Sequence, residues 1–195
     1  MTTVRSKIVA AARWGIANEP RIHYGELRPV PFGRRLPLTT DCSGFVTLCY
    51  YLAGAPDPNG LGYSGQGWTG TLLDHQPRTR RLRAGDVVVW GAYPGRHCAI
   101  VLETGRDPLL ASHGQERGPV AIRYSAECGL QPAEIAWLGL VEPLDAANRR
   151  DEDGAAERED EQRRDESELR HDGDDAPRGG EQVEPEQAED GVRGA

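Results

Sequence analysis

Thr39-Thr40-Asp41-Cys42-Ser43-Gly44-Phe45-Val46-Thr47-Leu48-Cys49-Tyr50-Tyr51-Leu52 is the stretch around which this chain is organised. Phe45, Leu48, Cys49 and Leu52 fall at helical spacing, with Val46, Tyr50 and Ala53 on a neighbouring stripe. A helix this apolar around its circumference is a buried one. Thr40 or Asp41 supplies the N-cap oxygen, and Gly54 followed by Pro56 ends the helix. Cys42 therefore sits in the first turn, where the free N–H groups and the helix dipole favour a thiolate. Read by itself, such a cysteine is more often an ordinary buried apolar residue.

The 195 residues divide by charge. Residues 1–144 hold 15 Arg/Lys and 12 Asp/Glu, a net of +3, whereas residues 145–195 hold 8 and 19, a net of −11. The overall −8 is thus a property of the second segment. That segment has no aromatic residue and few large aliphatics (Leu169, Val183, Val192), too little apolar surface to offset chain entropy. It is expected to be a disordered acidic tail, leaving residues 1–144 as one domain. No apolar run is long enough to span a membrane, and Met1 to Pro20 lacks the uninterrupted apolar core of a secretory signal. Val4, Ile8, Ala11, Ala12 and Ile16 instead mark an amphipathic helix. The expectation is a protein without membrane insertion, cytoplasmic until it is released. Nucleic-acid binding has little support, because Arg78, Arg80, Arg81 and Arg83 form only a short basic patch without interleaved aromatics.

Residues 55–83 are rich in glycine, with Tyr63, Gln66 and Trp68 among them. They suit either a mobile wall of a cleft or a purely structural loop. After them the pattern changes to period two. Val87–Trp90, His97–Leu102, Leu109–His113, Val120–Tyr124 and Trp137–Val141 read as five strands with short connections. Helices followed by strands give an α+β domain, the Cys42 helix lying on one face of an antiparallel sheet of about five strands.

With the turn between the second and third strands centred on Gly105, His97 falls opposite His113, Cβ atoms ~5 Å apart on one face. One imidazole could take the proton of Cys42 while the second orients the first. The four cysteines (42, 49, 98, 128) contain no C-x-x-C pair and are read as reduced, with at most one reactive.

Three ordered motifs, Asp41-Cys42-Ser43-Gly44-Phe45-Val46, Gly85-Asp86-Val87-Val88-Val89-Trp90 and His97-Cys98-Ala99-Ile100-Val101-Leu102, resemble the NlpC/P60 family of cysteine peptidases. The resemblance spans residues 8–140. It implies a papain-like core that cleaves peptide stems of bacterial peptidoglycan, commonly between D-γ-glutamate and the following diamino acid. By position it implies Cys42 as nucleophile, His97 as general base and acid, and His113 as the orienting third residue. Tyr24, Asp41, Ser43 and Trp68 are then expected to meet substrate. It implies no metal and no cofactor, a monomer, and peptidoglycan as the partner. The absence of a signal and of a wall-binding repeat resembles a phage lysin or virion-associated enzyme. Two departures stand out: the upstream tyrosine motif is reduced to Tyr24-Gly25-Glu26, and Cys98 replaces the usual valine. Cys98 is expected to point to the opposite face of the sheet and to be inert. The competing readings are an amidase or acyltransferase on the same core, a non-catalytic wall-binding or assembly module, and a zinc site made by Cys42, His97 and His113.

Overall fold

A computed structural model describes residues 3–114, 118–131 and 135–140. These lie within one unit, Met1–Asn148. The expected disordered tail, 145–195, lies outside the described residues. Among the described residues no helix is long and apolar enough to cross a membrane.

The chain opens with α1 (Val4–Ala17), capped by the Thr3 side chain on the Ser6 amide and burying Ile8, Ala11, Ala12 and Gly15. A 3-10 turn at Glu19–Arg21 leads into β1 (Ile22–Tyr24). After the 25–37 loop, β2 (Leu38–Thr40) runs parallel to β1, with Tyr24 opposite Thr40. This two-stranded pair has no counterpart in the sequence reading. It brings Tyr24 to the approach of the cysteine.

α2 (Cys42–Ala53) follows at once. Asp41, rather than Thr40, is its N-cap, and Gly54 closes it in the left-handed region at φ 66°. Ten of its residues are buried, as its all-round apolar character demands. α1 packs on α2 where Gly15 meets the Phe45 ring, and a β-carbon at position 15 would overlap that ring. α3 spans Thr69–His75, inside the glycine-rich segment.

The main sheet comprises β3 (Val87–Trp90), β4 (His97–Glu103), β5 (Leu109–Ser112), β6 (Val120–Arg123) and β7 (Ile135–Leu138), with α4 (Tyr124–Cys128) between the last two. All pairings are antiparallel, in the order β6-β5-β4-β3-β7. The first four strands form the expected meander, but β7 returns to the far edge beside β3.

The Cys42 helix lies on one face of the sheet, as expected, and the other face is covered as well. Val87, Val89, Cys98, Ile100 and Leu138 pack against α1 and α2. Val88, Trp90, Ala99, Val101 and Leu110 pack with Tyr124, Cys128 and Trp137 on the other side. Each such side chain withdrawn from water contributes about 1.5–3 kcal/mol before entropy is counted. The Gly85-Asp86 pair has a structural reason. Gly85 sits at φ 86°, and its carbonyl accepts from the Tyr50 hydroxyl of α2. The buried Asp86 carboxylate accepts from Arg5 of α1 at 2.6 Å and from the amides of Arg83 and Leu140.

Candidate active site

Cys42 opens α2 with its side chain directed onto β4. The Asp41 carboxylate accepts from the Gly44 amide at 2.6 Å and from the Ser43 hydroxyl at 3.1 Å, fixing the first turn. Arg28, from the loop after β1, donates to Asp41 Oδ2 at 2.9 Å, to Ser43 Oγ at 3.0 Å and to the Gly67 carbonyl at 2.8 Å. Asp41 and Ser43 are thus held by each other and by a guanidinium that the sequence reading did not single out. The glycine-rich segment is tied as well. Asp57 accepts from the amides of Asn59, Leu61 and Tyr63, and the Asn59 amide nitrogen donates to Thr47 of α2. The hydrogen bonding fixes the segment, and Gln66, Trp68 and Thr69 within it line the cavity beside Cys42, so it is a cleft wall held in place rather than a mobile one.

His97 begins β4 opposite Trp90, and its ring stacks on the indole with centroids 5.5 Å apart. Its Nε2 lies 2.9 Å from Ser112 Oγ and 2.9 Å from Glu127 Oε1, and the Ser112 hydroxyl donates to the same carboxylate oxygen at 3.1 Å. With Nε2 engaged there, Nδ1 is the nitrogen left for the Cys42 thiol, and each of the two groups shifts the titration of the other. The sequence is therefore Cys42, His97, Glu127, with Ser112 bridging the last two. Glu127 is 4% exposed and Cys42 and His97 are each 6% exposed, so these charges meet with little solvent between them.

His113 is elsewhere. β4 and β5 pair Ala99 with Ser112 and Ile100 with Ala111, one residue away from the expected register. Such a slip exchanges the faces of the strand. His113 accordingly turns to the α2 side, edge-on to Phe45 and Tyr24 with ring centroids 5.7 and 5.6 Å away. The assignment of His113 as the residue orienting His97 is corrected, since Ser112 and Glu127 occupy that place. The proposed zinc trio fails for the same reason, and no group of three or more potential ligands gathers among the described residues. Cys98 is also corrected. It points toward α2, within the cluster that contains Cys42, and the two thiols perturb each other's titration.

The electrostatics follow from these contacts. The Cys98 hydrogen bond and then His97 hold the Cys42 thiol well below its ordinary range, against the opposing effect of burial. Burial alone would lower His97, but its bonds to Cys42 and Glu127 outweigh it and push the imidazole up to about 9. Glu127 is raised by burial and lowered by more through His97 and Ser112, for a net downward shift. The favoured state is a thiolate–imidazolium pair backed by a carboxylate.

Two cavities flank this group. One of about 470 Å³ is lined by Cys42, Asp41, Ser43, Arg28, Gln66 and Trp68 among others. The other, about 510 Å³, is lined by His97, Ser112, Glu127, Val120 and Gln131 among others. Tyr24 and Arg96 border both. Trp68 stands 44% exposed at the entrance of α3. Tyr24 is held against Glu26 at 3.3 Å, and its hydroxyl is pushed up by burial and by the neighbouring Cys42 charge. All the residues expected to meet substrate therefore line the first cavity.

Compared with protein-family models and with curated proteins, the chain matches none.

Proposed function

We propose that this chain is a cysteine peptidase of the NlpC/P60 type, hydrolysing peptide stems of bacterial peptidoglycan at the bond between D-γ-glutamate and the diamino acid. The observation that carries the reading is the Cys42–His97 contact with Glu127 and Ser112 on the far ring nitrogen. The three motifs that resemble the family supply the substrate class.

In this reading the Cys42 thiolate attacks the scissile carbonyl. The Cys42 backbone N–H, at the start of α2, stabilises the oxyanion with the help of the helix dipole. The imidazolium of His97 gives its proton to the departing amine, and the thioester forms. Neutral His97 then takes a proton from water, and hydroxide addition releases the acid and restores the thiolate. Glu127 does not exchange the proton. It fixes the ring orientation and stabilises the imidazolium, while Ser112 completes the seat. Polar side chains along the Cys42 cavity suit a peptide stem better than a lipid chain. A place among phage lysins or virion-associated wall enzymes fits the same reading, with the wall as the only partner required. The test is release of new amino groups from purified walls by the wild type and none by Cys42→Ala.

A further inference from the structure

Cys98 lies one residue beyond His97, is 1% exposed, and shares the buried cluster between α2 and β4 with Cys42. Cys42 opens α2 and Cys98 lies on the face of β4 that packs against it, where each thiol perturbs the titration of the other, and Thr69 of α3 lines the cavity beside Cys42. The remaining cysteines cannot substitute. Cys49 is seven residues along α2, about 10 Å of helix from Cys42. Cys128 accepts from the Trp90 indole on the other face of the sheet. A low-pKa sulfur bordering a cavity beside a second thiol is the arrangement of a peroxide-sensitive cysteine with its resolving partner.

We propose that Cys42 and Cys98 form a redox-modification site, in which a hydroperoxide oxidises Cys42 and Cys98 resolves it as a reversible Cys42–Cys98 disulfide. The assignment rests on the placement of both cysteines in one buried cluster, with Cys42 lining the cavity, and not on peptide hydrolysis. The Cys42 sulfur attacks the near oxygen of hydrogen peroxide and the O–O bond breaks. Hydroxide leaves, takes a proton from the His97 imidazolium and becomes water. The resulting sulfenic acid is attacked by the Cys98 sulfur. The S–O bond breaks, and the departing hydroxide takes the Cys98 proton as a second water. Two thiols have lost two electrons, and one peroxide has been reduced to two waters. The nucleophile is then closed, yet spared further oxidation to sulfinic acid. A thiol reductant reopens it.

The experiment treats the full chain with hydrogen peroxide, digests it under non-reducing conditions and maps the cysteine peptides by mass. The expected result is a linked Cys42–Cys98 peptide pair lighter by two hydrogens, with alkylation of Cys42 restored by dithiothreitol. In Cys98→Val the link is lost, and roughly tenfold more Cys42 ends as sulfinic acid. Cys98→Ala serves the same purpose should valine disturb the fold. A wild-type map showing Cys42 as sulfinic acid, or joined to another cysteine, overturns the proposal, as does undiminished reversibility in the Cys98 variants. Formation of the disulfide in a chain that leaves cell walls intact would uphold the redox site and refute the peptidase reading. Wall digestion without the disulfide would do the reverse.

Discussion

His97 Nε2 stands 2.9 Å from Glu127 Oε1, and this carboxylate, brought in by α4 across the far side of the sheet, fills the place expected for a second histidine. The pair is buried, and its charge is balanced only while the imidazole is protonated and the carboxyl is not. Glu127→Gln removes the charge and keeps the size. The imidazolium should then lose its proton well below the present value of about 9, and the Cys42 thiolate should lose its cation with it. The expected outcome is a fall in turnover of roughly tenfold to a hundredfold, with the alkaline limb of the pH profile moved to lower pH. An unmoved alkaline limb would contradict the assignment.

The same pair sets a pH window for stability. His97 has a folded value raised from 6.5 to about 9, so its contribution is full below 6.5 and is lost as pH rises through about 9. Glu127 has a folded value lowered from 4.5, so its contribution is present above 4.5 and is lost as pH falls through the lower folded value. The Tm difference between wild type and Glu127→Gln should be largest between about 4.5 and 6.5 and shrink on either side. Thermal melts across that range check it. A difference that stays constant with pH would mean that charge is not what the substitution removes.

His113→Gln separates packing from chemistry. The ring fills space between Phe45 and Tyr24, so the change should cost about 1–3 kcal/mol in chemical denaturation. The pH dependence of Cys42 alkylation should be unchanged, in contrast with Glu127→Gln. Equal loss of thiol reactivity in the two variants would return His113 to the role of orienting His97.

Arg28 offers a different signature. It ties Asp41 and Ser43, which line the cavity, to the carbonyl of Gly67, between the lining residues Gln66 and Trp68. Arg28→Lys cannot reproduce the forked geometry. KM for muropeptides should rise about tenfold with a smaller change in kcat, because the lock shapes the binding wall and the helix cap remains. A fall confined to kcat would place Arg28 in the chemical step instead.

The α2 helix could be read in advance because its signals are local: apolar residues on every side, an Asp41 cap and a Gly54 stop within a dozen positions. The strands were visible from their period-two runs. The partner of His97 was not, and the cause is one residue. The β4–β5 connection runs from Glu103 to Leu109, so its centre is Arg106 and not Gly105, and an irregularity between Val101 and Glu103 takes back half of that shift. The net slip of one exchanges Ser112 for His113 on the face of His97. Cys98 turns toward Cys42 for a separate reason: the Cys98, Ile100 and Leu102 face of β4 is the one packed against α2. Glu127 was beyond reach for another reason. It stands on a helix of five residues, too short to show periodicity, and meets His97 across 30 positions of sequence. Asp86 was noted as part of a motif, but its task, holding Arg5 of α1 to the sheet, is a long-range contact that no local pattern records.

Purified peptidoglycan digested with the wild type and with Cys42→Ala, followed by mass spectrometry of the released muropeptides, tests the proposed chemistry most directly. The expected result is stems ending at D-glutamate together with fragments bearing a new amino terminus on the diamino acid, from the wild type alone. Equal products from the two proteins, or folded wild type that releases none, would contradict the assignment of Cys42 as the nucleophile of a wall peptidase.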